Sequence, residues 1–131
     1  MYVPPGFATV TPYFFAADSE ALVAFLVDGL GGEEQLRTLR PDGRIANAQV
    51  RVGAAMVMVS TATDSFPPMP ASSYLFVADA HAAMRRAIDA GATQVMEVMD
   101  MPYGDRQGGV RDPAGNLWWI TQRLVEAPYS G

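Results

Sequence analysis

The sequence predicts an α+β fold built from two copies of one module, each running strand, helix, strand, strand, strand. Three observations lead there. TPYFFAADSEALVAFLVDGLG, starting at Thr11, aligns without a gap against SSYLFVADAHAAMRRAIDAGA, starting at Ser72: Tyr13 meets Tyr74, Phe15 meets Phe76, Asp18 meets Asp79, Ala21 meets Ala82 and Asp28 meets Asp89. The copies lie about half a chain apart, which means a duplicated module rather than a solenoid of short repeats. After each helical stretch the chain turns strand-like three times. Finally, 131 residues at 50% hydrophobic and 18% charged suffice for one compact domain whose core needs no staples.

In the first module the alternating large residues of Tyr13 to Ala16 suit a strand. Asp18 can then accept hydrogen bonds from the orphan amides of a helix starting at Ser19, with Leu22, Phe25, Leu26 and Gly29 on one face. GEEQLRTLR reads as a strand, PDG as a turn, RIANAQVRV as the next strand, and AMVMVS, beyond Gly53, as the last. The second module repeats the plan: Asp79 as cap, Met84, Ala87 and Ile88 as the helix stripe, and Gly91 to end the helix. TQVMEVM, YGDRQGGVR and NLWWITQRL are its three later strands. The prolines of TATDSFPPMPAS forbid a central strand and suit a connector. The expected organisation is one domain over 1–131, with a first module at 8–60, a connector at 61–71 and a second module at 72–124.

Charge and composition exclude several classes. A formal net charge of -5 with nine Lys and Arg gives no basic face for counterion release, so no nucleic-acid partner is expected. A neutral or cationic ligand is the easier partner. Zero cysteines remove disulfides, thiolate zinc sites and cysteine nucleophiles. MYVPPGFATV has neither a basic n-region nor an apolar h-region, and no apolar run is long enough to span a bilayer, so the expectation is a soluble cytoplasmic protein with no membrane partner. The lone His81 falls in the first turn of the second helix, where the dipole disfavours a cation and the periodicity points it to solvent. With no other histidine there is no Ser, His and Asp set for nucleophilic hydrolysis, nor the two imidazoles of a two-His, one-carboxylate iron centre.

YGDRQGGVRDPAGNLWW, from Tyr103 to Trp119, is the most decorated stretch. A phosphate loop needs glycines that run into a helix N-terminus, whereas these sit among strands with no Lys nearby. Asp112, Pro113, Ala114 and Gly115 instead fit positions one to four of a type I turn joining the last two strands. By strand alternation Trp118 and Trp119 face opposite ways, with Trp118 packed under a helix. Asp105 and Arg106 read as a structural salt pair that pins the loop, or as a device to orient a substrate carboxylate. Glu33 and Glu34, and Asp100 beside Asp105, read as solvated charge, and the eight methionines as core fillers or as an adaptable surface.

The paired modules, the Asp after the first strand of each, AIDAGAT from Ala87 to Thr93, and GDRQGGVRDPAGNLWWI from Gly104 to Ile120 together resemble the vicinal oxygen chelate superfamily of glyoxalases, bleomycin-resistance proteins and extradiol dioxygenases. The GDR...DP.GN.W ending is most similar to its PhnB-like subgroup. The resemblance covers nearly the whole chain. It implies a curved, incompletely closed arrangement of eight strands in which each module curls around a cavity, commonly in a homodimer. One fold hosts many functions, so it implies no single reaction.

Enzymes of that superfamily usually hold a divalent metal with side chains from the first and last strands of each module. Carried over, those positions are Thr11, Ser72, Met58 and Trp119, and none is His, Glu or Gln. A thioether or an indole does not replace imidazole or carboxylate for hard or borderline metals. Where PhnB-like relatives carry His-Ala-Glu on the third strand, this chain has Asn47, Ala48 and Gln49. No metal and no cofactor is therefore expected. Alternation places Thr11, Tyr13 and Phe15 on one face, as it does Ser72, Tyr74 and Phe76, and Leu117, Trp119 and Thr121. If these are the concave faces, rings and hydroxyls line a pocket suited to a flat or apolar molecule; otherwise the rings fill a core.

The expected ligand-binding residues are Thr11, Tyr13, Phe15, Asn47, Met58, Ser72, Tyr74, Phe76, Arg106 and Trp119. The favoured reading is a metal-independent, homodimeric protein that binds a small aromatic or cationic molecule, such as an antibiotic or a secondary metabolite. The alternative is a metal-dependent lyase, isomerase or transferase of the glyoxalase type that uses other ligands, for example Glu97, Gln49 and Gln122.

Overall fold

The computed structural model of the chain describes residues 2–130. The order is β1 (Tyr13–Ala16), α1 (Ser19–Asp28), β2 (Glu33–Leu39), β3 (Ile45–Val52), β4 (Ala55–Thr61), β5 (Ser72–Phe76), α2 (Ala80–Asp89), β6 (Thr93–Asp100), β7 (Asp105–Arg111) and β8 (Leu117–Arg123). This is the strand, helix, three-strand plan twice over. The strands form two four-stranded sheets, β1-β4-β3-β2 and β5-β8-β7-β6, which share no ladder and close no barrel. In each sheet the first and last strands of the module run parallel and the other pairs antiparallel.

Capping explains why both helices begin where they do. Asp18 accepts the Ala21 N–H at 3.0 Å, and Asp79 accepts the Ala82 N–H at 3.0 Å, each satisfying one donor that the first helical turn leaves orphaned. Gly91 takes a positive φ of 107° just past α2, a conformation that costs residues with a Cβ more than glycine. Leu22, Val23, Phe25 and Leu26 bury the face of α1. On α2 the stripe is Ala80, Met84 and Ala87, whereas Ile88, expected in the stripe, is 40% exposed. The reason lies beneath the helix: a Cβ on Gly108 would stand 2.9 Å from Met84 Sδ, so α2 sits close on β7 and its contact narrows to small residues and Met84.

Helix-side residues of both modules merge into one core that includes Phe14, Leu26, Val50, Val59, Trp118 and Ile120. Phe14 and Trp118 meet across the modules at 5.7 Å between ring centroids. Arg86 of α2 donates from Nε to the Asp28 carbonyl at 2.8 Å, so it satisfies the end of α1 and ties the helices together. Thr61 closes β4, and beyond it the connector follows the free edge of β1, where Met69 N–H donates to Phe15 O at 3.1 Å. Both helix-free faces, one per sheet, lie outside the shared core. These are the first and second open faces.

The DPAG segment makes the expected turn, with Gly115 N–H donating to Asp112 O at 3.0 Å. The buried Asp112 carboxylate accepts from Ala114 N at 2.8 Å, Asn116 N at 3.0 Å, Asn116 Nδ2 at 2.9 Å and Trp118 Nε1 at 2.8 Å. One carboxylate therefore fixes the turn and locks Trp118 into the core, which leaves Trp119 on the opposite, open face. Among the described residues no helix is long and apolar enough to cross a membrane.

Candidate functional site

The first open face gathers five of the residues singled out in the first module. In the ladder Met58 lies between Tyr13 on β1 and Gln49 on β3. Gln49 Nε2 donates to Asn47 Oδ1 at 3.2 Å on the same face. Tyr13 and Phe15 tilt against one another at 4.6 Å, and Phe66 of the connector stacks on Phe15 at 5.8 Å. Ser60 Oγ lies 2.6 Å from Ala46 O and donates to it, so the Tyr13 hydroxyl, 2.7 Å away, is the donor to Ser60.

At one end of this face Thr11, Gln49 and Met58 form the floor of a cavity of about 460 Å³, and the N-terminal arm forms its roof with Val3, Pro4 and Phe7. The volume falls within the range of roughly 300–1,000 Å³ usual for small-molecule sites. Thr11 Oγ1 donates to Ala8 O at 3.0 Å, which anchors the arm and leaves the oxygen's lone pairs open. The Gln49 amide oxygen and its second N–H have no partner among the described residues. Thr11 and Met58 are the two positions carried over from the superfamily's metal ligands in this module. Here they line a chamber of aliphatic, thioether and neutral polar groups, a donor set that does not fit a divalent cation.

The second open face repeats the ladder with different contents. Trp119 lies between Tyr74 on β5 and Gly109 on β7. A Cβ at Gly109 would stand 2.8 Å from Trp119 Cζ3, so the glycine allows the indole to lie flat on the strand. Trp119 Nε1 donates to Ser72 Oγ at 2.9 Å, so the two carried-over positions of this module satisfy one another and do not fit a metal either. Tyr74 and Phe76, 5.9 Å apart, stay about half exposed.

Further along, Tyr103 donates to Gln107 Oε1 at 2.6 Å, and Gln107 Nε2 donates to Thr121 Oγ1 at 2.8 Å. Asp105, fully buried, takes Arg123 Nη1 at 3.0 Å and the Tyr129 hydroxyl at 2.7 Å. The Arg123 guanidinium lies 4.1 Å over the Tyr129 ring. The C-terminal segment is thus pinned onto this face. Burial, then the neighbouring Tyr74 hydroxyl, raises the Tyr103 phenol above its ordinary range. The bond to Asp105, then burial, does the same for Tyr129.

Arg106 stands apart from the other singled-out residues. It shares a face with Gln122, whose amide oxygen accepts the Ala80 N–H at the start of α2. Its guanidinium donates from Nε to Asp100 Oδ1 at 2.7 Å, and that bond holds the Asp100 carboxyl below the usual range. The expected Asp105–Arg106 pair is therefore not formed, because neighbours in a strand point to opposite faces. Glu33 and Glu34 pair with Arg51 at 2.9 Å and Arg37 at 2.6 Å. Glu97, Gln49 and Gln122 do not converge: Gln49 belongs to the first sheet, and Gln122 points to the helix side of the second. Among the described residues no three His, Asp or Glu side chains come together in a way that could hold a metal ion. His81 is exposed on α2.

A larger recess of about 630 Å³ lies at the rim between the β2–β3 turn and the connector, lined by Arg40, Arg44, Asp42 and Asp64 among others. Arg40 already donates to Thr61 O at 2.7 Å, and Arg44 sits 3.9 Å from Asp42, so its charges are partly matched within the chain.

Sequence reasoning missed the arm. MYVPPGF carries a signal for it: Pro5-Gly6 suits the middle of a tight turn, in which Gly6 takes a φ of 84°, and large apolar residues, Val3 and Phe7, flank the prolines. In the sequence Gln49 stands out as a departure from a motif and as an alternative metal ligand; its place on the cavity floor follows from pairing with Met58.

Comparison with known proteins agrees with this architecture. The model of the Glyoxalase/Bleomycin resistance protein/Dioxygenase superfamily matches residues 7–120, and the chain belongs to that superfamily. An uncharacterized protein of Mycobacterium bovis is 30% identical over 131 residues, covering 89% of this chain and 84% of that protein. The crystal structure of TioX from Micromonospora sp. ML1 superposes with a TM-score of 0.75 at 28% identity, covering 89% of this chain and 99% of TioX. TnmS3, an antibiotic binding protein from Streptomyces sp. CB03234, shares the fold with a TM-score of 0.68 at 21% identity, covering 94% of this chain and 98% of its own.

Proposed function

We propose that the chain is a metal-independent binding protein for small aromatic molecules, and that it works as a homodimer. The superfamily includes both enzymes and resistance proteins, so the fold does not choose between them and the site must. The observation that carries the reading is the cavity of about 460 Å³ whose floor holds Thr11 and Met58 at positions where the superfamily's enzymes usually place metal ligands. A thioether, a hydroxyl and an amide bind an apolar body and orient a polar edge; they do not polarise a carbonyl as a Lewis acid does. Tyr13 and Phe15 extend the apolar surface beside the chamber. That TnmS3 is an antibiotic binding protein of the same fold is in keeping with this reading.

The homodimer part rests on exposed surface. Leu36, Tyr74, Phe76 and Met99 are all more than 40% exposed, and β2 is exposed along its whole length. Apolar side chains beside unpaired strand edges invite a partner of the same kind.

Two measurements on protein purified without chelators test the proposal. Metal analysis is to find no stoichiometric divalent ion, and a panel of aromatic drugs is to raise the thermal midpoint where Mn²⁺, Ni²⁺ and Zn²⁺ do not. One tightly held divalent ion per chain would instead support a metal-dependent lyase or isomerase.

A further inference from the structure

Resting on that reading of the first open face, we infer that the N-terminal arm is a wall of the binding site and that the chamber takes an uncharged planar molecule bearing an amide-like hydrogen-bonding edge. The chain is acidic, with a net charge of -5, which draws cations toward its surface. Inside the chamber, however, no carboxylate and no guanidinium is found among the described residues. Among the described residues the one ionisable group on the lining is the Tyr2 phenol, which is 91% exposed. A ligand ion entering this space loses its hydration and meets no countercharge, whereas an uncharged ring loses little.

The free valences define the polar edge. Gln49 spends one N–H on Asn47 Oδ1 and retains an acceptor oxygen and a second N–H side by side. Thr11 Oγ1 gives its proton to Ala8 O and can still accept. A ligand amide, lactam or urea matches that pattern with one donor and one acceptor on the same edge. Two acceptors and one donor leave a carboxylate, which only accepts, with too few partners.

The arm supplies the wall that faces the sheet. Phe7 is half-buried on the roof, held by a turn in which Phe7 N–H donates to Pro4 O at 3.2 Å, and the Thr11 bond to Ala8 O fixes the arm's far end. A phenyl ring from the arm and the Met58 thioether from the floor thus line opposite sides of one space.

The test is isothermal titration calorimetry of the full chain at neutral pH with three naphthalenes of one shape: 2-naphthamide, 2-naphthoate and 2-naphthylmethylammonium. The amide is expected to bind at least about tenfold more tightly than either ion. Phe7→Ala is expected to weaken the amide by about fivefold, and Gln49→Leu to weaken it by about tenfold, with a much smaller effect on 2-methylnaphthalene. The double variant Gln49→Gly with Met58→Trp copies the pair that the second face accommodates and is expected to abolish binding, with its far-UV circular dichroism and unfolding midpoint measured alongside to show that the fold is kept.

Either ion binding as tightly as the amide, or Phe7→Ala having no effect, overturns this inference while the proposed function stands. If none of the naphthalenes binds the unaltered chain, the proposed function fails and this inference with it.

Discussion

The two open faces repeat one ladder pattern in separate sheets and differ most at the pair in its middle. On the first, Met58 stands opposite Gln49 and a cavity opens beside them; on the second, Trp119 stands opposite Gly109 and its indole lies over the strand. Their flanking positions correspond as well: Tyr13 to Tyr74, Thr11 to Ser72, Phe15 to Phe76. Yet Thr11 turns its proton to the arm, whereas Ser72 receives the indole N–H of Trp119. Duplication supplies two equivalent frames, and exchange of a thioether and an amide for an indole and a glycine sets apart the face with the cavity, which is the one proposed to admit a guest.

The terminal segments sharpen the contrast. The N-terminal arm roofs a space on the first face without filling it. The C-terminal segment is tied down on the second by the Asp105, Arg123 and Tyr129 cluster.

The largest effect expected from disturbing this contrast comes from the turn that orients the second face. Asp112→Ala removes an acceptor from four donors, two of them buried side-chain groups on Asn116 and Trp118, and is expected to cost about 3 kcal/mol in urea unfolding. The corresponding turn of the first module, between Val52 and Ala55, carries no such network, so Ala54→Ser is expected to change stability little.

Gly109→Ala tests the flat indole directly. The added methyl would fall 2.8 Å from the ring, so Trp119 must lift and break its bond to Ser72, at a cost of about 2 kcal/mol. The indole N–H resonance reports whether it has moved. An unchanged resonance and unchanged stability would show that the second face is not closed by this contact.

The smallest effect is at the C-terminal segment and depends on pH. Tyr129 keeps its proton more tightly in the folded chain than in the unfolded one. Its contribution is complete below the ordinary phenol range near about pH 10 and is lost as pH rises through the folded value. Tyr103 acts in the same sense. Tyr129→Phe is therefore expected to lower stability slightly near neutrality and to flatten part of its fall above about pH 10. Urea titrations across that range measure it.

Much of this architecture is legible in the sequence because it rests on local chemistry. Capping aspartates, turn residues and alternation fix Asp18, Asp79, the DPAG turn and the opposite facings of Trp118 and Trp119. Other features depend on what lies across space. Ile88 has the right periodicity for the core, but the close seat of α2 on Gly108 turns it to solvent. The two glycines of QGGV gave no hint of what they allow: Gly108 admits the helix and Gly109 admits the indole, one on each side of the same strand. Asp105 finds Arg123 and Tyr129 rather than Arg106, because partners far along the chain leave no period to read. The cavity is equally nonlocal, since its floor comes from three separate segments and its roof from an arm with no regular structure.

The division of labour between the faces is tested most directly by following Met58 and Trp119 together. In protein carrying ¹³C-methyl methionine and ¹⁵N-indole labels, with Met58 assigned through Met58→Leu, saturation with 2-naphthamide is expected to shift the Met58 methyl strongly through the ring current. The Trp119 Nε1–H, bonded to Ser72, is expected to stay near its free position. A Met58 methyl that does not move while Trp119 does would place the guest on the second face and contradict the assignment of the chamber to the first.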